Sequence, residues 1–248
     1  MYRERILSTK TKHPTAVRLK DAMLEYHDFQ LSHKNHNLHT ELAKLAQWQS
    51  ERLKHSHNEL YSSPNYQQGL AFLFTELYSD TDFTERDRDL ERIFPKMVKL
   101  LPSSVIETVS LLVELNILTQ MLDLELVQKL FIDLEHATIN EKNYCEAYQL
   151  CNNQQQRAYQ IKLTESLGKK LDKYARSQVI MFSLKLSKNA AKSAGLGALH
   201  NFLSSGFAAF HSMQNIDALM HTIALKETEY LNQIISGNLY PFGFNAEI

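Results

Sequence analysis

The stretch SSVIETVSLLVELNILTQMLDLELVQKLFIDL, residues 103–134, decides the fold class of this chain. It is rich in apolar residues, above all leucine, and it contains neither proline nor glycine. Leucine forms helices readily, and nothing in the stretch would interrupt one. The sequence therefore predicts a long apolar α-helix that opens at Ser103 and runs from Val105 to about Leu134.

The helix-compatible region extends far beyond this stretch. The five prolines lie at positions 14, 64, 95, 102 and 241, so none falls between Ser103 and Tyr240, and glycine occurs only seven times. No sustained alternation of apolar and polar residues, bounded by turn residues, marks a strand. We expect an all-α protein, a compact multi-helix bundle of roughly eight to ten helices.

Helix boundaries are predicted from caps and breakers. Two upstream helices are expected over 14–31 and from Asn37 to about Tyr61. A third is expected to run to Tyr78, with Ser63 as its cap and Pro64 at its first position. A fourth is expected to start at Thr84, which forms a capping-box-like pair with Asp87. Downstream breaks are expected near Asn152, near Ser177, at Gly195 and Gly197, and near Asn215.

A single domain is expected, because no linker-like stretch divides the 248 residues and no internal repeat is evident. The prediction is one all-helical domain over 1–248, with an N-terminal helix in 1–34, a body over 35–236 and an aromatic tail over 237–248. The tail, GNLYPFGFNAEI, is expected to dock Tyr240, Phe242 and Phe244 on the body. A tail that binds a partner is the alternative.

Composition indicates the class and compartment. Hydrophobic residues make up 44% and charged residues 22%, which is typical of a globular protein, and a net charge of -1 argues against nucleic-acid or membrane binding by overall charge. The two cysteines, Cys145 and Cys151, would lie on different faces of one helix, so reduced thiols are expected. No secretory signal and no run of about 18 apolar residues is found, which predicts a cytoplasmic protein without a membrane span.

Charge is unevenly distributed along the chain. Residues 107–146 hold eight acidic residues and two lysines, whereas residues 157–192 hold nine basic and two acidic residues. Two solvated faces, or oppositely charged helices packed together, explain this pattern; a binding surface for an acidic protein, RNA or lipid headgroups is the functional alternative. With Arg157, the basic residues are Lys162, Lys169, Lys170, Lys173, Arg176, Lys185, Lys188 and Lys192.

A second candidate site lies around the turn in FLFTELYSDTDFTERDRDLERIFP, residues 72–95. Glu76 is a carboxylate on an otherwise apolar helix, and such a group is often paired or functional. We expect either a structural ion-pair clasp, in which arginines past the turn reach back to Glu76, or a polar ligand-binding site. The residues concerned are Glu76, Tyr78, Asp82, Arg86, Asp89 and Arg92.

Neither catalytic motifs nor metal motifs are found. No histidine has a glutamate three residues before it, as di-iron helical bundles require. His33, His36 and His39 lie three residues apart, and His55 and His57 follow; the polar segment LSHKNHNLHT, residues 31–40, is interpreted as a solvated connection. The glycines of residues 195–206 follow no strand, so close helix crossing is favoured over phosphate binding. No cofactor and no metal site are predicted.

The stretch AFLFTELYSDTDFTERDRDLERIFPKMVKLLP, residues 71–102, resembles the FFLEELY-motif proteins, a proteobacterial family with a domain of unknown function. HTELAKLAQWQSERLKHSHNELYSSPNY upstream and GALHNFLSSGFAAFHSM and IALKETEYL downstream support the resemblance, which covers roughly residues 35 to 235. Phe74 and Thr75 replace the leucine and first glutamate of the motif, so that only Glu76 remains of its two acids. The resemblance implies an all-helical fold and a bacterial cytoplasm, and it carries no activity.

Three functions follow as hypotheses. The favoured one is a non-enzymatic helical interaction or adaptor protein with separated acidic and basic surfaces and a protein partner. The second is a helical bundle that binds a hydrophobic small molecule or cofactor, with catalysis left open. The third is binding of RNA or anionic lipid through residues 157–192, which no motif supports.

Overall fold

A computed structural model describes residues 2–11, 13–33, 38–78, 84–100, 102–244 and 247–248. Within the helices, side chains at some positions, including 74–78 and 84–88, are not described. The described part of the chain holds twelve α-helices and no strand, which confirms the all-α class.

The helices follow one another in chain order with short connections. They are α1 (Tyr2–Ser8), α2 (Pro14–His33), α3 (His39–Ser56), α4 (Asn58–Tyr61), α5 (Gln67–Tyr78), α6 (Thr84–Leu100), α7 (Ser103–Val127), which continues as a π-helical turn (Gln128–Asp133), α8 (Glu141–Leu150), α9 (Gln154–Ala175), α10 (Gln178–Ser193), α11 (Gly197–Ser212) and α12 (Ile216–Ile235).

The predicted breaks downstream of α7 are confirmed, and local chemistry explains them. Ser177 caps α10, accepting a hydrogen bond from the Ile180 amide at 3.4 Å, and Asn215 caps α12 with φ of 49°. Asn152 and Gly195 also have positive φ, 50° and 67°. A left-handed residue cannot continue a right-handed helix, so each of these positions separates two helices.

The predicted Ser63 cap is wrong. The carbonyl of Ser63 accepts from the amides of Tyr66 at 3.0 Å and Gln67 at 2.9 Å, so Ser63 and Pro64 form a turn and α5 begins at Gln67. The helix expected to reach Tyr61 also ends earlier, at Ser56, and a short α4 follows it. A turn and a helix start would both use the same backbone groups at Ser63, so the residue types alone did not show which of the two forms.

Helix α7 and its π turn form the long helix predicted from residues 103–134. This 31-residue helix, Ser103–Asp133, is long and apolar enough to cross a membrane by length and composition only, which the search for an unbroken apolar run missed. The core helix of a soluble protein passes the same test. Its acids bond to other helices of the protein: Glu114 lies 2.6 Å from Arg18, and Asp123 accepts from Gln49 at 3.1 Å.

The chain divides into two compact units by contact, and the predicted single domain stays a prediction. Unit 1 comprises Met1–Asn35, Asp82–Ile117 and Lys170–His211. Its core joins apolar residues of α1, α2, α6 and α7, among them Ile6, Leu19, Phe94 and Ile106, which are buried.

Unit 2 comprises His36–Thr81, Leu118–Lys169 and Ser212–Ile248. Its core gathers buried residues of α3, α7, α8 and α12 around the single tryptophan. Trp48 stacks on Tyr144, with ring centroids 4.3 Å apart.

The aromatic tail docks in unit 2, as predicted for two of its three aromatics. Phe242 and Phe244 meet the Trp48 ring edge-on at 6.2 and 5.5 Å, whereas Tyr240 is exposed. The buried carboxylate of Glu141 accepts hydrogen bonds from the amides of Phe242, Gly243 and Phe244 at 2.6, 3.1 and 2.5 Å. One side chain therefore satisfies three backbone donors and fixes the tail.

Candidate functional site

In unit 1, Asp89 and Arg92 lie one turn apart on α6 and hold the connection between α10 and α11. The Arg92 guanidinium is 3.5 Å from the Asp89 carboxylate. Arg92 Nη1 also donates to the carbonyls of Ala194 at 3.2 Å and Gly195 at 2.9 Å, while Asp89 accepts from the amide of Leu199 at 3.3 Å. A cation thus sits at the C-terminus of α10 and an anion at the N-terminus of α11, as the two helix dipoles favour.

Gly195 makes this arrangement possible. The amide of Leu196 donates to the Ala191 carbonyl at 2.8 Å and that of Gly195 to Lys192 at 3.1 Å, which is the Schellman ending of a helix. A Cβ at Gly195 would stand 2.8 Å from Arg92 Nη1, and the residue has φ of 67°. Glycine therefore serves both the turn and the approach of the guanidinium.

The other members of the predicted clasp lie outside what the structure describes. Glu76 and Tyr78 belong to α5 and Arg86 to α6, but their side chains are not described, and Asp82 lies outside the described residues. The Glu76 hypothesis therefore stays a prediction. Asp89 and Arg92 do form a clasp, and the segment they hold is the α10–α11 turn.

Helix α10 carries the most exposed large apolar residues of the described chain. Val179, Phe182 and Leu186 are 75%, 62% and 68% exposed. Their spacing of three and four residues places them on one face of the helix. Apolar side chains grouped in this way and left in water mark a contact surface rather than a core.

Helix α10 also carries three lysines: Lys185 and Lys192 border this apolar face, and Lys188 lies further round the helix. Lys185, Lys188 and Lys192 are exposed, none of them forms an ion pair with a described residue, and α10 contains no aspartate or glutamate. We call these three lysines together with Val179, Phe182 and Leu186 the α10 surface.

The opposite side of α10 packs within unit 1. Ile180, Leu184 and Ala191 are half-buried, and His200 of α11 places Nε2 2.9 Å from the Leu184 carbonyl. This packing fixes which side of the helix is outward.

The basic residues predicted to form a surface over residues 157–192 differ in burial and in the unit to which they belong, and that surface stays a prediction. Arg157 is buried, and it donates to the Leu122 carbonyl at 2.9 Å. Lys162 and Lys169 belong to unit 2, whereas the remaining six belong to unit 1.

Three of the basic residues also pair with acids. Lys169 lies 3.9 Å from Glu165, Lys170 lies 3.2 Å from Glu107, and Arg176 lies 3.2 Å from Asp172. Lys162 and Lys173 are exposed. Within unit 1, Lys185 and Lys192 of α10 lie beside an exposed apolar face.

The acidic segment is largely engaged inside the protein. Six of its eight acids have partners: Glu107, Glu114, Asp123, Glu125, which accepts from Asn153 at 2.6 Å, Asp133, which lies 2.5 Å from Lys129, and Glu141. The lysines of α10, by contrast, form no ion pair with a described residue.

Unit 2 contains a buried ionic cluster that sequence reasoning missed. Arg52 Nη1 lies 2.6 and 2.7 Å from the two carboxylate oxygens of Glu227, and His57 Nε2 lies 2.8 Å from one of them. Burial opposes ionisation of Glu227, but Arg52 and His57 outweigh it and lower its pKa to about 2. His57 is buried, and the sequence analysis did not predict its contact with Glu227.

A second buried arginine lies near two tyrosines in unit 2. Arg157 Cζ stands 4.6 Å from the Tyr148 ring centre, and its Nη1 is 3.9 Å from Asp123, beyond direct hydrogen-bond distance. Burial raises the pKa of Tyr144, Tyr148 and Asp123. Arg157 Nε and Asn153 Oδ1 have no hydrogen-bond partner among the described residues, and internal water is the usual partner of such groups.

The described residues contain no group of three or more His, Cys, Asp or Glu side chains placed to hold a metal ion. Both cysteines are free, Cys145 buried and Cys151 half-buried. Among the described residues, the α10 surface presents exposed apolar side chains together with lysines that form no ion pair with another described residue, and we take it as the candidate functional site.

The fold is all-α, and α10 presents exposed apolar and basic side chains. The chain belongs to the family of the domain of unknown function DUF8198, which matches residues 28–241. Comparison with curated proteins and with solved structures finds no match.

Proposed function

We propose that this protein is a non-enzymatic helical interaction protein that docks a protein partner on the α10 surface. One observation carries the proposal: Val179, Phe182 and Leu186 share an outward face, are each more than half exposed, and are flanked by lysines without ion pairs to described residues. Burying such residues in a complex is favourable, roughly 1.5 to 3 kcal/mol for each fully buried side chain. The lysines favour a partner with an acidic surface.

The proposal also includes the family resemblance and the compartment that were inferred from the sequence. We retain the resemblance to the FFLEELY-motif proteins, and with it a bacterial cytoplasm as the site of action. Binding of a hydrophobic small molecule near Glu76 is the alternative function. It depends on side chains, including that of Glu76, that the structure does not describe. RNA or anionic lipid would compete for the same lysines and is tested below.

Affinity purification with a matched pair of variants tests the proposal. The triple variant V179S/F182S/L186S removes the apolar face, and L225S removes a leucine of α12 that is 61% exposed and belongs to unit 2. We expect a partner that wild type and L225S recover and that the triple variant loses, and that binds purified wild-type protein in a defined ratio. Equal recovery of the same proteins by all three would overturn the proposal.

A further inference from the structure

The α10 surface has the residue spacing of a two-helix seam. If Val179 is given heptad position a, Phe182 falls at d, Leu186 at the next a and Asn189 at the next d. Apolar a and d residues are those that one helix inserts between the side chains of a partner helix. Ile180 at b and Leu184 and Ala191 at f are half-buried in unit 1, so the seam points outward.

The charges of α10 follow the same register. Lys185 and Lys192 both fall at g, the position that forms ion pairs across a two-helix interface and selects the partner. The e positions hold Ser183 and Ala190, whose small side chains allow a helix to approach closely. Lys188 falls at c, away from the seam.

From this register we infer that the partner element is an acidic amphipathic helix, which lays its apolar seam against Val179, Phe182 and Leu186 and its carboxylates against Lys185 and Lys192. This inference rests on the proposed function and names its partner class. The apolar seam spans only about two turns, so the binding is expected to be weak, in the micromolar range or above.

The same positions argue against a second copy of this chain as the occupant. In an antiparallel pair, the g lysines of the two copies would face each other, and like charges in contact are unfavourable. In a parallel pair they would face Ser183 and Ala190, which offer no counter-charge. A partner with carboxylates at the facing positions supplies the counter-charge that a second copy of this chain lacks.

A membrane surface is less well matched. A helix lying on anionic lipid usually carries basic residues along its polar face, which borders both sides of the apolar stripe. In α10 the lysines lie on one side of the stripe, and the other side carries Ser183 and Ala190. That asymmetry suits pairing with one helix.

Designed peptides provide the direct test on the full-length protein. The acidic probe is a three-heptad helical peptide with leucine at a and d and glutamate at e and g; the basic probe has lysine at e and g instead. Fluorescence anisotropy at low salt measures both. We expect wild type to prefer the acidic probe by roughly tenfold or more, with the preference falling as salt rises.

Charge exchange supplies the control. K185E/K192E should lose the acidic probe and gain the basic one, whereas K188E, a single charge reversal away from the seam, should alter the acidic-probe affinity by less than about threefold. Circular dichroism and thermal melting verify that each variant is folded. Equal binding of both probes, or an effect of K188E as large as that of one g-position change, overturns the inference.

Two further arms separate the remaining outcomes. Flotation with vesicles of phosphatidylcholine, alone or mixed with phosphatidylglycerol, tests lipid binding, and a single-stranded RNA oligonucleotide tests nucleic-acid binding. If the protein binds vesicles or RNA in a way that depends on Phe182, and does not bind the acidic probe, the inference of a helical partner is overturned. If V179S/F182S/L186S loses its purified partner while the acidic probe fails to bind wild type, the proposed function stands and the partner class is wrong.

Discussion

Arg52 and Glu227 are 175 positions apart in the chain, yet Arg52 Nη1 contacts both carboxylate oxygens of Glu227, at 2.6 and 2.7 Å. His57 adds a third contact, and Lys226 donates to the carbonyl of Ser56. These bonds join α3 to α12 within unit 2. A carboxylate held by a buried arginine and a buried histidine fixes the register of the two helices, because a shifted helix would leave the buried Arg52 charge unpaired.

The first prediction is that Glu227→Gln destabilises unit 2. Removing the negative charge leaves Arg52 buried without its counter-charge, which typically costs about 3 to 5 kcal/mol. Urea unfolding followed by Trp48 fluorescence measures the loss. Glu229→Gln is the control on the same helix, since Glu229 is exposed and should contribute less than about 0.5 kcal/mol. Equal effects of the two variants would contradict the buried pair.

The second prediction is that the free energy of unfolding falls at low pH because Glu227 becomes protonated. The pKa of Glu227 is lowered from 4.5 to about 2. The folded protein therefore releases this proton more readily than the unfolded chain, and the contribution is present above pH 4.5 and lost as the pH falls from about 4.5 to about 2. Linkage gives on the order of 3 kcal/mol for this group.

Unfolding free energies measured across that pH window test the sign. Wild type should lose stability on acidification more steeply than Glu227→Gln, which has no carboxyl group to titrate at this position. Parallel curves for the two proteins would remove Glu227 as the source of the acid sensitivity.

The third prediction is that Glu141→Ala releases the tail. Three backbone amides lose their acceptor, and leaving buried donors unsatisfied costs roughly 1 to 3 kcal/mol. Hydrogen exchange of residues 242–244 should accelerate, and proteases should cut near Gly237 sooner. Lys142→Ala, an exposed change on the same helix, should leave both measurements as in wild type.

The fourth prediction compares two glycines two residues apart. Gly195→Ala places a Cβ at positive φ and 2.8 Å from Arg92 Nη1, so it should lower stability by about 1 to 2 kcal/mol. Gly197→Ala meets no atom within 4 Å and lies in a helix, where alanine is preferred, so it should be neutral or stabilising. Thermal melting of the two variants distinguishes them, and a Gly195→Ala protein as stable as Gly197→Ala would contradict the clasp geometry.

The fifth prediction concerns the thiols. Burial raises the pKa of Cys145 to about 12, so its thiol stays protonated and unreactive at pH 8. Ellman's reagent should label the half-buried Cys151 first and Cys145 only as the protein unfolds. The Cys151→Ser variant isolates the slow site, and labelling of Cys145 at the rate of Cys151 would show that Cys145 is accessible in the folded protein.

Sequence reasoning located helix ends wherever the signal is local. Ser177 and Asn215 cap the helices that follow them, and Gly195 adopts the left-handed conformation that a helix end requires. Each needs only its immediate neighbours to act. At Ser63 a turn and a helix start use the same backbone groups, and local reasoning chose the wrong one.

The candidate site was predicted only in part. Counting charge along residues 157–192 identified the lysines of α10, but it also included Arg157, which the fold buries. His57 was given no partner by the sequence analysis, although it contacts Glu227. The partners, Leu122 for Arg157 and Glu227 for His57, are distant in the sequence, so the spacing of residues does not predict these contacts.

The sequence by itself determined the all-α class and most helix ends, because proline, glycine and capping residues act over one or two turns. The tertiary structure alone decided which side of α10 faces water. That helix has apolar residues on two sides, Ile180 and Leu184 on one and Val179, Phe182 and Leu186 on the other, so periodicity does not single out one face. Packing of α10 within unit 1 covers the first side and leaves the second exposed beside lysines without ion pairs to the described residues.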